Sequence, residues 1–199
     1  MALLFSSCAL PTNAPLKFLF YPRPPDDRSR GLIVFLQGRG GNNTDFAEHG
    51  FVEAINRRQL PFDMMAPDAH MGYYMGETLV PRLKHDLIEP ANISGYHPVW
   101  LVGVSMGGLG ALMYLREHPA DIAGVCIISP FLGYPGIISE ISAAGSLAAW
   151  DPGQFEKSVP PFIWGMATRI LSYVPTNYLP KYCQQIMYSE FWEDMTPKQ

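Results

Sequence analysis

Short apolar runs alternate with amphipathic stretches from Lys17 to Ile128. The runs Lys17–Tyr21, Gly31–Leu36, Phe62–Ala66, Val99–Val102 and Ile122–Ile128 are strand-length, and Gly31–Leu36 is apolar throughout. A run with no polar alternation predicts a strand buried on both faces. Between the runs, apolar residues recur at helical spacing. This predicts a helix from about Asp45 to Arg57, capped by Asn43 or Thr44. A second is predicted from Thr78 to about Pro90, with Leu79, Leu83, Leu87 and Ile88 on one side, and a third over Leu109–Arg116. Strands alternating with helices predict an α/β domain with a mostly parallel sheet and helices on both faces. After Ser129–Pro130 the rhythm changes. Ile137–Ala149 and Pro161–Tyr173 look helical, and Lys181–Gln199 has no clear strand pattern. With no internal repeat or linker, residues 1–199 are read as one domain, with 131–178 as a helical cap or insertion.

The richest chemistry lies in Gly103-Val104-Ser105-Met106-Gly107-Gly108, a G-x-S-x-G motif between a predicted strand and a predicted helix. That context marks a nucleophile elbow, a sharp turn that lifts a serine hydroxyl above the sheet. A β-carbon at Gly103 or Gly107 would collide with neighbouring backbone in so tight a turn. The helix start beyond it points free N–H groups at whatever bonds to Ser105. Leu36-Gln37-Gly38-Arg39-Gly40-Gly41 follows the central strand. Acyl transfer builds negative charge on a carbonyl oxygen, so this loop reads as the first oxyanion donor, through the N–H of Arg39 or Gly40. Met106 is the second donor. The rival reading is a dinucleotide loop, but Asn43 stands where its third glycine belongs.

A serine hydroxyl needs a base to take its proton. The five histidines are His49, His70, His85, His97 and His118, and all but His118 precede the serine. Asp68-Ala69-His70 follows a strand and belongs at the carboxyl edge of a parallel sheet, where ligands bind. His70 is therefore the candidate substitute base, against the plainer reading of a loop histidine bonded to backbone. His118 suits the negative end of its helix and should lie far from the serine. His97 precedes Pro98 at a strand entrance on the opposite edge, and His85 and His49 lie on polar faces. Of the later acids, Asp121 precedes its strand on the wrong edge and Asp151 sits in a Trp-Asp-Pro-Gly turn. Glu140, Glu156, Glu190, Glu193 and Asp194 lack the strand-end context of a triad acid. Met64, Met65, Met71 and Met75 read as core and pocket filling.

Bulk properties trim the alternatives. A formal charge of −4 and no Lys/Arg run argue against a nucleic-acid surface. Cys8, Cys126 and Cys183 lack metal-ligand spacing, Cys126 reads as core, and no metal or cofactor is implied. No stretch is long and apolar enough to span a bilayer. Met1–Cys8 is too short for a signal peptide, yet an apolar run ending in Ser-Ser-Cys is similar to the end of a bacterial lipoprotein signal. The protein reads as cytoplasmic as written, or as membrane-anchored or periplasmic if translation starts upstream and Cys8 carries lipid.

From Lys17 to Pro130 the order of strands, oxyanion loop and elbow resembles the α/β-hydrolase family. Pro67–Tyr74 and Leu101–Gly110 resemble a group of small bacterial hydrolases of uncharacterised substrate. The resemblance implies the α/β-hydrolase fold, Ser105 as nucleophile and a small-molecule ester or similar acyl substrate. Two departures stand out. Gln37 occupies the place where many members have histidine. Beyond Leu179-Pro180-Lys181 the chain lacks the strand, acid and histidine loop that the resemblance leads one to expect. The expectation is that the C-terminal strands are missing or altered, as after a premature stop, leaving an exposed sheet edge that invites self-association. Three functions follow: a serine hydrolase acting on an acyl ester, its base not identified beyond the candidate His70; a truncated or degenerate hydrolase-fold protein without efficient turnover; or a chain whose sheet and base a partner completes.

Overall fold

A computed structural model describes residues 11–24, 30–131, 139–140 and 143–144. Five strands form one sheet in the order β1-β3-β2-β4-β5. They are β1 (Phe18–Tyr21), β2 (Gly31–Leu36), β3 (Phe62–Pro67), β4 (Val99–Val104) and β5 (Gly124–Ile128). β2, β3, β4 and β5 run parallel, and β1 lies antiparallel against β3.

The all-apolar composition of β2 follows from its central position. Leu32, Val34 and Leu36 join one buried cluster with Leu83, Leu101, Ala111 and Tyr114. Ile33 and Phe35 join a second cluster on the other face with Phe46, Ile55 and Met64. Alternating side chains thus face opposite layers, and neither face tolerates a polar residue. Each fully buried side chain of this kind contributes roughly 1.5–3 kcal/mol. Phe35 stacks on Phe46 at 4.4 Å between ring centroids, which anchors the loop after β2 to the sheet.

The helices are more broken than their periodicity predicts. The stretch Asp45–Arg57 is two helices, α1 (Asp45–Glu48) and α2 (Phe51–Arg57), parted at Gly50, whose φ is +79°. Glycine adopts that left-handed conformation without steric cost. Thr44 occupies the cap position of α1, but its hydroxyl bonds Asn42 Oδ1 at 2.6 Å and the Glu48 carboxylate, not the helix backbone. A helix absent from the sequence reading, α3 (Met71–Met75), follows β3. The next helical stretch is longer than expected: α4 (Leu79–Leu83), a π-helical turn (Lys84–Ile88) and α5 (Glu89–Ile93). The elbow helix α6 spans Met106–Glu117.

Two packing expectations are corrected. Met75 is half exposed, because it lies at the end of α3 where the chain turns away from the core. Cys126 is only partly covered, because β5 has no strand on its outer side among the described residues. The 131–178 cap, Cys8, Cys183, Asp151 and the Lys181–Gln199 tail lie outside the described residues, apart from residues 131, 139–140 and 143–144. Among the described residues no helix is long and apolar enough to cross a membrane, and no His, Cys, Asp or Glu cluster can hold a metal ion.

Candidate active site

β4 ends at Val104 and α6 begins at Met106, so one residue makes the whole turn. That residue is Ser105, with φ +50° and ψ −112°. A non-glycine residue at positive φ is uncommon and costs of order 1–3 kcal/mol unless its surroundings hold it. Here they do. Ser105 N–H donates to the Ile128 carbonyl at 2.9 Å, and the Ser105 carbonyl accepts from Phe131 N–H at 2.9 Å and Leu109 N–H at 3.3 Å. The Ser129–Phe131 segment after β5 therefore clamps the elbow, and Ser129 itself sits at φ +43°.

The motif glycines leave no room for side chains. A Cβ on Gly103 would lie 2.2 Å from the Gly107 carbonyl oxygen, and one on Gly107 would lie 1.9 Å from the Leu36 carbonyl oxygen. Such backbone collisions explain why small residues flank the serine on both sides. They also show that α6 starts directly against the end of β2. The loop after β2 consequently reaches the serine: a Cβ on Gly38 would be in ordinary contact with Ser105 Cβ, at 3.6 Å. Gly38–Gly41 is a tight turn, closed by Gly41 N–H donating to the Gly38 carbonyl at 3.2 Å, with Gly40 at φ +80°. Arg39 and Gly40 are exposed at its tip. Met106 is buried, and as the first helical residue its N–H has no partner within the helix. A half-buried hydroxyl, a helix start and a glycine-rich turn thus converge at the carboxyl edge of β2 and β4.

Gln37 is the one polar residue attached to this end of β2, and it is buried. Its amide lies between a carbonyl and an N–H. With Nε2 donating to the Pro67 carbonyl at 2.9 Å and Oε1 accepting from Ala69 N–H at 3.0 Å, both ends are satisfied. The sequence reading noted Gln37 only as a departure from a family pattern. A lone amide beside a fully apolar strand was the available signal, since buried polar groups are paired.

All five histidines lie among the described residues. His70 follows β3 at the same edge as Ser105, but β2 stands between β3 and β4. Two strand spacings separate the lines of β3 and β4 by about 10 Å. His70 caps α3: its Nδ1 accepts from Gly72 N–H at 3.1 Å, and its ring packs 4.8 Å from that of Tyr73. With Nδ1 accepting, the neutral ring carries its proton on Nε2. His49 is an exposed residue at the end of α1, with Nδ1 on the Asp45 carbonyl at 2.7 Å. His85 pairs with Glu89 at 3.1 Å in solvent. His97 precedes β4, at the opposite edge of the sheet. His118 ends α6, with Nδ1 3.4 Å from Lys84 Nζ. Among the described residues none bonds the Ser105 hydroxyl.

The opposite edge carries two ion pairs, Arg30–Asp63 and Lys84–Asp121. Asp121, a sequence candidate set aside for its position, accepts from Lys84 Nζ at 2.9 Å and Tyr114 hydroxyl at 3.1 Å. The Lys84 bond is the main reason its carboxyl is held below the usual range, and Tyr114 reinforces it against partial burial. Burial, and then the adjacent Asp121 charge, push the Tyr114 phenol up. Asp63, unremarked in the sequence, is completely buried at the start of β3. It accepts from Arg23 N–H at 2.8 Å, Tyr96 hydroxyl at 2.7 Å and Arg30 Nη2 at 2.7 Å. Burial opposes its ionisation, but these donors outweigh burial and hold its carboxyl low.

A family model described as alpha/beta hydrolase fold matches residues 87–172. Over 109 residues the chain is 29% identical to 2-succinyl-6-hydroxy-2,4-cyclohexadiene-1-carboxylate synthase of Enterobacter sp. (strain 638). The match covers 54% of this chain and spans 40% of that relative. Among solved structures, the mature form of a Bacillus licheniformis lipase superposes with a TM-score of 0.54 at 18% identity, over 84% of this chain and 68% of that one. Paleococcus ferrophilus monoacylglycerol lipase gives a TM-score of 0.47 at 20% identity, over 73% and 52% respectively.

Proposed function

This chain is an α/β-hydrolase-fold protein, and from that premise we propose that it is a serine hydrolase acting on a small-molecule ester. The observation that carries the reading is Ser105 at φ +50° on a one-residue turn, with the Gly38 loop so near that a Cβ built on Gly38 would meet the Ser105 Cβ at 3.6 Å. Backbone strain at this serine, with helix-start N–H groups beside it, suits a nucleophile that must stand clear of its own backbone.

In the proposed reaction Ser105 Oγ attacks the substrate carbonyl carbon and gives its proton to a base. The resulting oxyanion accepts from the N–H of Met106 and of Arg39 or Gly40. The ester C–O bond then breaks, the alcohol leaves with the proton, and the acyl group stays on Ser105. Water attacks the acyl-enzyme, releasing the carboxylic acid and restoring the serine. No cofactor enters this scheme.

His70 is the candidate base, as the histidine that directly follows a strand at this edge. To act it must release Gly72 N–H and free a nitrogen toward Ser105. That bond favours a second reading, a hydrolase-fold protein that binds ester-like molecules without efficient turnover. Intact mass after incubation with a fluorophosphonate separates the two. Stoichiometric labelling that disappears in Ser105→Ala supports the hydrolase. A folded chain that takes no label supports the second reading. If His70→Ala labels at the parental rate, His70 is not the base.

A further inference from the structure

We infer that Gln37 is a positioning residue for the oxyanion loop, an inference that rests on the serine-hydrolase reading above. The argument starts from where the sheet stops pairing. β2 stays in register with β4 to its last residue, Leu36 opposite Gly103. On its other side, the register with β3 ends at Val34 opposite Met65. Beyond that point β2 and β3 part, and the backbone ladder no longer sets the spacing between their carboxyl ends.

The Gln37 side chain takes over where the ladder stops. Its amide reaches across the gap and makes the two bonds that a paired strand would have made, to the Pro67 carbonyl and to Ala69 N–H. On the elbow side, the Gln37 carbonyl oxygen lies so near α6 that a Cβ on Gly107 would approach it to 2.7 Å. One residue is therefore held between β3 and the first turn of α6. Arg39 and Gly40, the proposed donors, are its second and third successors, exposed at the tip of the turn that follows it. Asp68 N–H donates to the Lys17 carbonyl at 2.8 Å, so the segment Gln37 grips is itself anchored to the start of β1. Aiming an oxyanion donor demands placement well within 1 Å, and a misplacement of that size costs about a hundredfold in rate.

Three variants test this. Gln37→Met keeps the length and removes both bonds. Gln37→Glu keeps the acceptor for Ala69 N–H and offers Pro67 a donor only when protonated. In folded Gln37→Met the fluorophosphonate labelling rate is expected to fall to about one hundredth. In Gln37→Glu labelling should quicken as pH is lowered, a profile that neither the parent nor Gln37→Met shows. Ser105→Ala serves as the zero. Amide hydrogen exchange, which does not depend on activity, is followed in parallel at residues 38–41. It should accelerate in Gln37→Met with β4 and α6 unaltered. Unchanged exchange at residues 38–41, or parental labelling by folded Gln37→Met, overturns the inference. A parent that never labels overturns the hydrolase reading alone, and the exchange data then decide whether Gln37 braces the loop.

Discussion

The two ends of the sheet are built on opposite principles. At the amino edge, the carboxylates of Asp63 and Asp121 are each held by several donors. At the carboxyl edge, Ser105 is held at positive φ and its hydroxyl has no partner among the described residues. The first edge satisfies its polar groups and so fastens strands, loop and helices together. The second leaves the Ser105 hydroxyl without a partner among the described residues and its backbone strained, which lowers stability. In parallel sheets ligands gather at the carboxyl ends of strands. The contrast teaches that the bracing ion pairs of Asp63 and Asp121 and the proposed nucleophile are separated here by the length of a strand.

Substitutions at each edge should behave accordingly. The largest effect is expected from Gly107→Ala, whose Cβ would strike the Leu36 carbonyl with no side chain able to yield. Loss of about 4 kcal/mol or more in urea denaturation is expected, as for other severe core clashes. A soluble variant of parental stability would show that α6 can move away from β2. Next, Asp63→Ala should cost about 3 kcal/mol at pH 7, because it removes the buried acceptor shared by the Tyr96 hydroxyl and the Arg23 N–H. Thermal unfolding reads this, and fluorophosphonate labelling of the folded fraction should be unaffected, since the site lies at the other edge. Reduced labelling there would break the separation of the two edges.

Ser105→Gly should move the other way. It should gain about 1 kcal/mol by relieving the positive φ while losing all labelling. A variant less stable than the parent would mean that the serine side chain contributes to the fold. The smallest effect concerns pH. The folded carboxyls of Asp63 and Asp121 are held below their unfolded range, near 3.9. Their stabilisation is therefore fully present above that range and is lost as pH falls through the lower folded values. Asp121→Asn should remove about 1 kcal/mol above pH 5 and flatten the acid limb below it. Denaturant midpoints from pH 7 to pH 3 give the comparison, and parallel curves for parent and variant would contradict it.

How much of this was legible in the chain differs by region. The strands were, because each is an apolar run whose burial needs no knowledge of its neighbours. The elbow was, because a turn that tight needs small residues on both sides of the serine, although the Leu36 backbone that excludes a side chain at Gly107 comes from a distant strand. The helix interruptions were less so. Gly50 and the π turn at Lys84–Ile88 leave the apolar spacing nearly intact, so periodicity ran through them. α3 was missed because five residues are too few to display a helical period.

By itself, then, the sequence determined the α/β architecture, the order of the strands along the chain and the serine on its turn. Those depend on local geometry and on which residues shun water. Tertiary structure alone decided the roles of Gln37, Asp63 and His70. Gln37 meets Pro67 and Ala69 across 30 positions or more, and Asp63 gathers Arg23 and Arg30 from the connection between β1 and β2 and Tyr96 from the approach to β4. His70 shares an edge with Ser105, yet β2 stands between their strands. Contacts of this kind are set by strand order in the sheet, which no local pattern of hydrophobic residues encodes.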